Sequence, residues 1–329
     1  MKVLFLGGSG IISSACSAAA VQHGMELTVL NRGKTGLRSL PDEAEQLHAD
    51  MRNPGEVRAV LKGRRFDAVV QFMGFVPEHI ELDISLFTGV ADQYVFISSA
   101  SAYHTPPLSW PVTESTPLYN PYWEYSRNKI ACEERLVTEY RRNGFPITII
   151  RPSHTYDATL IPLHGGYTNL QRMKEGKPIV VHGDGTSLWT LTHHRDFAEG
   201  LVGLLGNPAA IGEAIHITSD EALTWNAIAR QLGRSLGVDV QLVHVPSQVI
   251  ARYDQEWGDG LLGDKTHSMI FDNTKVKRLV PGFQAVIPFC RGAEEIVNWH
   301  EADPSRQQVD TQLDALMDRL IDKIRTMQP

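Results

Sequence analysis

Residues 2–14, Lys2-Val-Leu-Phe-Leu-Gly7-Gly-Ser-Gly10-Ile-Ile-Ser13-Ser, pass from a short apolar run straight into a glycine turn and then a small-residue helix. No other stretch constrains the fold as strongly. An unbroken Val/Leu/Phe run suits a strand buried on both faces, and such strands belong to parallel sheets covered by helices. Glycine at 7 and 10 permits a tight turn and a close backbone approach, while the helix that follows aims unpaired amides at an anion. A strand, a glycine turn and a helix in this order are how a dinucleotide-binding domain starts, with the pyrophosphate seated on the helix N-terminus. Ser13 stands where the third glycine of such a pattern is expected, so the motif needs support from elsewhere in the chain.

That support begins with rhythm. Strand signals recur at 3–6, 26–30, 68–72, 93–97 and 147–150 with helical patterns between them. Such alternation predicts an α/β fold, a Rossmann-like doubly wound parallel sheet. The first helix is expected over 12–23, closed by Gly24, and a longer one over 121–142, with Asn120 as cap, Pro121 at the first helical position and Gly144 beyond the end. After Arg151, segments rich in Gly, Pro and His (162–166, 182–185) interrupt shorter elements and point to a smaller mixed α/β C-terminal lobe that holds a substrate. The predicted division is a dinucleotide-binding domain over 1–152, with 193–218 returning to it, and a substrate-binding lobe with a C-terminal helix over 153–329. Asp196-Phe-Ala-Glu199 reads as a capping box opening a helix through Leu205. Over 307–327, Leu313, Leu316, Met317, Leu320, Ile321 and Ile324 fall at helical spacing, the mark of an amphipathic helix packed on its own domain.

A net charge of −7 gives the chain no general attraction to polyanions, and its basic clusters, 62–65 and Arg141-Arg142, are short and lie beside predicted helix ends. Cys16, Cys132 and Cys290 are far apart with no zinc spacing, so reduced thiols and no metal are expected. With neither a leader pattern nor a run near the ~18 apolar residues of a membrane span, the expectation is a cytoplasmic protein that does not engage a membrane.

Two segments carry chemistry. Tyr125-Ser-Arg-Asn-Lys129 sets a phenol and an ammonium four residues apart, on one face of a helix. A phenol with its usual pKa near ~10 is a poor base. Lowering it by ~3 units takes roughly 4 kcal/mol, which one ammonium and an oxidised nicotinamide ring together supply in a partly desolvated pocket. Phe96-Ile-Ser98-Ser99-Ala-Ser-Ala-Tyr103 ends a strand with hydroxyls at the carboxyl edge of the sheet, where ligands of open α/β sheets bind. From there Ser99 is placed to hold a substrate oxygen whose proton Tyr125 removes.

Taken in order, Gly7-Gly-Ser-Gly10, Asp50-Met51, Ser98-Ser99-Ala-Ser-Ala-Tyr103, Tyr125 with Lys129, Arg151-Pro152, Gly183-Asp-Gly185 and Pro281-Gly-Phe283 before Trp299 resemble the extended short-chain dehydrogenase/reductases. That group includes NAD-dependent sugar epimerases and dehydratases. The resemblance implies Ser99, Tyr125 and Lys129 as a catalytic triad, with Lys129 also holding the nicotinamide ribose. It implies Gly7, Gly10, Ile11 and Ile12 around the pyrophosphate, Asn31 and Arg32 toward the adenosine ribose, and Asp50 and Met51 near the adenine, following a third strand. A homodimer packed through the tyrosine helix and its neighbour is also implied. Asn31 replaces the aspartate that grips the ribose hydroxyls of NAD, and Arg32 and Lys34 follow it, which favours NADP(H) over NAD. The other reading is NAD, with Asn31 bonding its ribose and Arg32 in solvent.

The chain departs from the family where nucleotide-diphosphate sugars are gripped. Trp189 and Leu261 stand where arginines are expected, and His154 replaces an asparagine after the Arg-Pro pair. Each lost charge-assisted contact forfeits roughly 1.5 to 3 kcal/mol. The expected substrate is therefore a sugar-like hydroxyl or keto compound without a nucleotide diphosphate, with His154, Trp189 and His193 as candidate contacts. Hydride transfer then yields an epimerase or an oxidoreductase, and the residues do not choose between them. The alternative is a catalytically idle RNA-binding protein on the same fold, because the chain also looks like the branch with the chloroplast stem-loop-binding proteins. Intact Ser99, Tyr125 and Lys129 and the acidic charge favour the enzyme.

Overall fold

The computed structural model describes residues 1–33 and 38–327. From the N-terminus come β1 (Lys2–Leu6), α1 (Ile11–Gln22), β2 (Glu26–Asn31), β3 (Glu45–His48), α2 (Pro54–Val60), β4 (Ala68–Gln71), α3 (Pro77–Phe87), β5 (Tyr94–Ile97), α4 (Glu124–Asn143) and β6 (Ile147–Pro152). The chain continues through β7 (His154–Tyr156), α5 (Tyr167–Lys174), β8 (Ile179–His182), β9 (Leu188–Trp189), β10 (Leu191–His193), α6 (His194–Leu204), β11 (Ala214–Ile217), β12 (Leu223–Thr224), α7 (Trp225–Leu236) and β13 (Leu242–Val245). Last are α8 (Ser247–Tyr253), α9 (Gln255–Gly260), a π-helical turn (Leu261–Lys265), α10 (Thr274–Leu279), α11 (Phe289–Glu301) and α12 (Thr311–Met327).

Seven parallel strands form the main sheet in the order β11-β6-β5-β4-β1-β2-β3. This is the Rossmann-like α/β sheet that the alternation predicts. Its direction of progress reverses between β1 and β4, so the carboxyl ends of these two strands open a crevice. Period-two alternation sends Val3 and Phe5 to one face, under α1 and α6, and Leu4 and Leu6 to the other, under α2, α3 and α4. Ala15, Cys16 and Ala19 of α1 share a core with Phe197 and Leu201 of α6. Each fully buried Val, Leu or Phe contributes roughly 1.5–3 kcal/mol, which is why an all-apolar strand is strongly specified here.

Beyond the sheet, Tyr156, Leu170, Ile179, Trp225, Ile228 and Phe289 form a separate core. Leu313, Leu316, Met317, Leu320 and Ile321 lay one face of α12 against Val180, Val245, Ile250 and Trp257. The periodicity of that tail is thus absorbed by packing within the chain. Strand β11 lies beside β6, with Ile149 N–H donating to the Glu213 carbonyl at 2.9 Å, and so brings a late segment back to the early sheet.

Two helix starts differ from the sequence reading. Helix α4 begins at Glu124, because Asn120 Oδ1 accepts from the amides of Tyr122 (3.2 Å) and Trp123 (3.1 Å) in a turn that precedes the helix. Gly144 does close α4 with φ of 72°. Helix α6 begins at His194 with His193 as its cap, not at Asp196. The Asp196 carboxylate instead accepts from the amides of Val286 (3.1 Å) and Ile287 (2.9 Å), fastening a distant loop to the start of α6.

Candidate active site

The glycine turn is closely built. Gly7 has φ of +83°, and a Cβ there would lie 3.1 Å from the Met73 side chain; one on Gly8 would lie 2.6 Å from Val29. Ser13 is compatible with the turn because its hydroxyl folds back to accept from the Gly10 amide at 2.8 Å. His194 Nδ1 lies 3.1 Å from the Ile11 carbonyl and pins the first turn of α1 from the neighbouring helix. The result is a tight turn in which side chains at 7 and 8 would collide with Met73, Val29 and Leu40, set at a helix N-terminus and at the reversal point of the sheet. Gly7, Gly10, Ile11 and Ile12 therefore fit a dinucleotide pyrophosphate.

On the adenosine side, Asn31 Oδ1 accepts from the Gly33 amide at 2.7 Å and lies 3.2 Å from His48 Nδ1, so its oxygen is engaged within the turn. Arg32 is exposed. Lys34, counted with it as a cation, lies outside the described residues. Asp50 Oδ1 accepts from the Arg52 amide at 2.9 Å, and Met51 is buried. Arg52, which the sequence reading missed, donates from Nη2 to the Met73 carbonyl at 3.0 Å. Burial, and less strongly the Arg32 charge, pull its guanidinium below the usual arginine range.

Past Ile12 a cavity of about 350 Å³ runs along the carboxyl edge of the sheet, with Ser99, Tyr125, Lys129, His154 and Trp189 all in its wall. Ser99 Oγ lies 2.9 Å from Ser101 Oγ, which accepts from Ser126 Oγ at 2.8 Å, so the serine-rich strand end is tied to α4 by a hydroxyl chain. Deeper still, Ser98 Oγ donates to Glu133 at 2.5 Å, and Glu133 is paired with Arg151 at 2.5 Å, all three side chains being buried. This ion pair fastens α4 to β6 beneath the site.

Lys129 is 2% exposed, and its Nζ donates to the carbonyls of Gly74 (2.7 Å) and Ile97 (2.8 Å). An ammonium has three N–H groups, so one remains for a ligand. Its nitrogen lies 5.7 Å from the Tyr125 ring centroid and also faces the Phe75 and Phe96 rings. Burial pulls the ammonium down to about 8. Burial also pushes the Tyr125 phenol up to about 12, with a hydrogen bond from Ser99 pulling the other way and Asp264 adding to the rise. In the protein by itself, then, the phenol is held in its neutral form.

The far wall comes from the π-helical turn at Leu261–Lys265. Gly263 lets the π-helical turn sit directly on α4, since a Cβ there would lie 2.6 Å from the Trp123 side chain, and the Gly263 carbonyl accepts from Asn120 Nδ2 at 2.6 Å. That turn carries Asp264 and Lys265 into the cavity, 3.4 Å apart, with Lys265 Nζ over the Trp123 and Trp189 rings. Wide turns of this kind recur at functional sites. Neither residue stands out in sequence, because local periodicity does not reveal which loops converge; the turn is marked only by its glycines at 258–263 and by the family resemblance at Leu261.

His193 is a correction. It is fully buried away from the cavity wall, with Nδ1 accepting from the Arg195 amide as the α6 cap and Nε2 lying 3.1 Å from Glu295 Oε2. Its requirement is structural: β10 ends there, and the ring fills space against Tyr156.

Residues 3–218 match the sequence model of the NAD dependent epimerase/dehydratase family. The chain belongs to that family. Within and around it, the chain is 25% identical over 288 residues to the 2'-dehydrokanamycin reductase of Streptomyces kanamyceticus, covering 86% of this chain and 80% of the relative. It is 26% identical over 257 residues to the chloroplast stem-loop binding protein of 41 kDa b of Arabidopsis thaliana, covering 74% of this chain and 65% of that protein, just under two thirds of its length. Among solved structures, the epimerase Mth375 of Methanothermobacter thermautotrophicus superposes with a TM-score of 0.76 at 17% identity, over 92% of this chain and 93% of that one, a likeness of fold. No helix among the described residues is long and apolar enough to cross a membrane.

Proposed function

We propose that the protein is an NADP(H)-dependent oxidoreductase or epimerase that moves a hydride at a hydroxyl or keto carbon of a sugar-like compound. The observation that carries this reading is one continuous cavity, from Ile12 beside the glycine cradle to the hydroxyls of Ser99 and Tyr125. A nicotinamide ring, when bound, supplies the hydride acceptor or donor and, when oxidised, a positive charge near the phenol.

Ser99 holds the substrate oxygen. Tyr125 takes the hydroxyl proton in oxidation and returns it in reduction. Lys129 directs its remaining N–H to the ribose and adds positive potential near the phenol. Because burial, reinforced by the Asp264 charge, raises the phenol, the base is created only in the assembled complex; the free protein keeps Tyr125 protonated. On the adenosine side, Arg32 and Arg52 favour a 2′-phosphate, and the engaged Asn31 oxygen offers no carboxylate to oppose it. The match to a reductase over 86% of the chain supports chemistry on a sugar-like ring. Intact Ser99, Tyr125 and Lys129 and a net charge of −7 favour an enzyme over an RNA scaffold.

The test is Tyr125→Phe. Loss of hydride transfer with cofactor binding retained is the expected result, and full turnover in this variant overturns the reading.

A further inference from the structure

Trp123, His154 and Lys265 belong to two cavities at once. Behind them, away from the sheet, lies a second cavity of about 310 Å³. Its walls are apolar: Ile161, Val180 and Val181, Trp225, Trp257 and Leu261 are all buried side chains that line it. At its mouth His164 stacks flat on Trp257, with centroids 4.5 Å apart and planes 9° from parallel.

The polar groups around this space offer little to an anion. Burial holds His154 down to about 3 and His182 down to about 4, and lowers His164, so the rings are neutral near pH 7. His182 is further occupied, 2.9 Å from the Lys265 carbonyl. Lys265 is the cation of this wall, and its charge is shared between Asp264 at 3.4 Å and two indole rings. Glu256 adds a carboxylate on the same wall. A diphosphate entering here would meet apolar walls, neutral imidazoles, one paired ammonium and one like charge.

We infer that this second cavity takes the apolar ring system of a substrate whose sugar-like part lies against Tyr125, and that it rejects a nucleoside diphosphate. The placement of the sugar-like part rests on the function proposed above; the character of the second cavity stands on its own walls. Flat indole and imidazole faces favour a planar ring over a branched chain. Lys265, at the threshold, faces the polar junction between the two halves of such a substrate.

Calorimetric titration of the full chain with 2-naphthol and, separately, with UDP tests the cavity. Naphthol should bind at least tenfold more tightly than UDP, and a crystal soak should place its ring between Trp225 and Trp257. Leu261→Arg should weaken naphthol at least tenfold and strengthen UDP, whereas Leu261→Met should leave both unchanged. If the arginine variant fails to fold, as its melting curve would reveal, the soak of the unaltered protein decides. UDP binding as tightly as naphthol, or a ring found elsewhere, overturns the inference. Tyr125→Phe should retain naphthol binding, so failure of the hydride-transfer reading and failure of this one are separately visible.

Discussion

The indole Nε1–H of Trp189 donates to Nδ1 of His154 across 3.1 Å. With Nδ1 accepting, a neutral imidazole carries its proton on Nε2, so His154 meets the cavity as a hydrogen-bond donor and not as a cation or a base. Trp189→Phe removes the bond that sets this tautomer. Its kcat/KM should fall roughly 5- to 15-fold, the worth of about 1–1.5 kcal/mol. Because burial holds His154 down to about 3, the pH profile between roughly 5 and 8 should keep its shape. Steady-state kinetics across that range check both statements.

Ser99→Ala leaves the phenol without its hydroxyl partner. Turnover should drop about 10²- to 10⁴-fold, while the cofactor dissociation constant stays within twofold (~0.4 kcal/mol) of the unaltered protein. Since the same hydrogen bond lowers the Tyr125 phenol, ultraviolet titration of the cofactor complex should show phenolate forming at higher pH in the variant.

Arg52→Ala removes a guanidinium that burial and Arg32 already hold below its ordinary range. A charge-assisted contact to a 2′-phosphate is worth roughly 1.5–3 kcal/mol, so NADP(H) affinity should fall about 10- to 150-fold while NAD(H) affinity barely changes. Fluorescence titration with both reduced cofactors decides the matter. An equal loss for both would remove the 2′-phosphate from the argument.

Asp83 is buried between Tyr94 and Gln71, accepting from each at 2.6 Å, and burial raises its carboxyl to about 6. The folded value lies above the free one, so the neutral acid is favoured in the folded state. Its contribution is fully present below about pH 4 and is lost as pH rises through about 6. Asp83→Asn should therefore gain on the unaltered protein as pH rises across that window, by up to about 3 kcal/mol, and should lose that part of the pH slope. Urea melts on either side of the window measure it.

Glu133→Ala leaves Arg151 buried without its partner and removes the acceptor of Ser98. Breaking a buried pair on one side costs about 3–5 kcal/mol. The variant's denaturation midpoint should fall accordingly, and Arg151→Met in the same background should recover part of the loss.

What could be read in advance follows from where apolar surface is hidden. Strands β1, β2, β4, β5 and β6 are buried on both faces and announce themselves as apolar runs. Edge strand β3, Glu45-Gln-Leu-His48, does not: it is mostly exposed, and its Glu45 is held by Arg64 and by the Thr28 hydroxyl. Its place came from likeness to a family and not from pattern. The four-residue interval between Tyr125 and Lys129 and the hydroxyls at the end of β5 are local signals, and the structure brings those residues to one cavity. Asp264 and Lys265 arrive there through the fit of Gly263 on Trp123, a long-range contact with no local signature. His193 misled for the converse reason, since a histidine beside a lobe junction reads as a ligand contact until its two nitrogens are found to be occupied.

The return of β11 to the flank of β6 bears on how the molecule can be divided. An excised fragment ending at Pro152 would strip β6 of the partner that its Ile149 amide requires. A long, apolar, unprotected edge of this kind pairs with whatever strand is offered, including its own copies. Cutting the chain at its most obvious seam would therefore yield an aggregating half and not a working module; dissection would have to carry 214–217 along, stitched to the early residues by a linker.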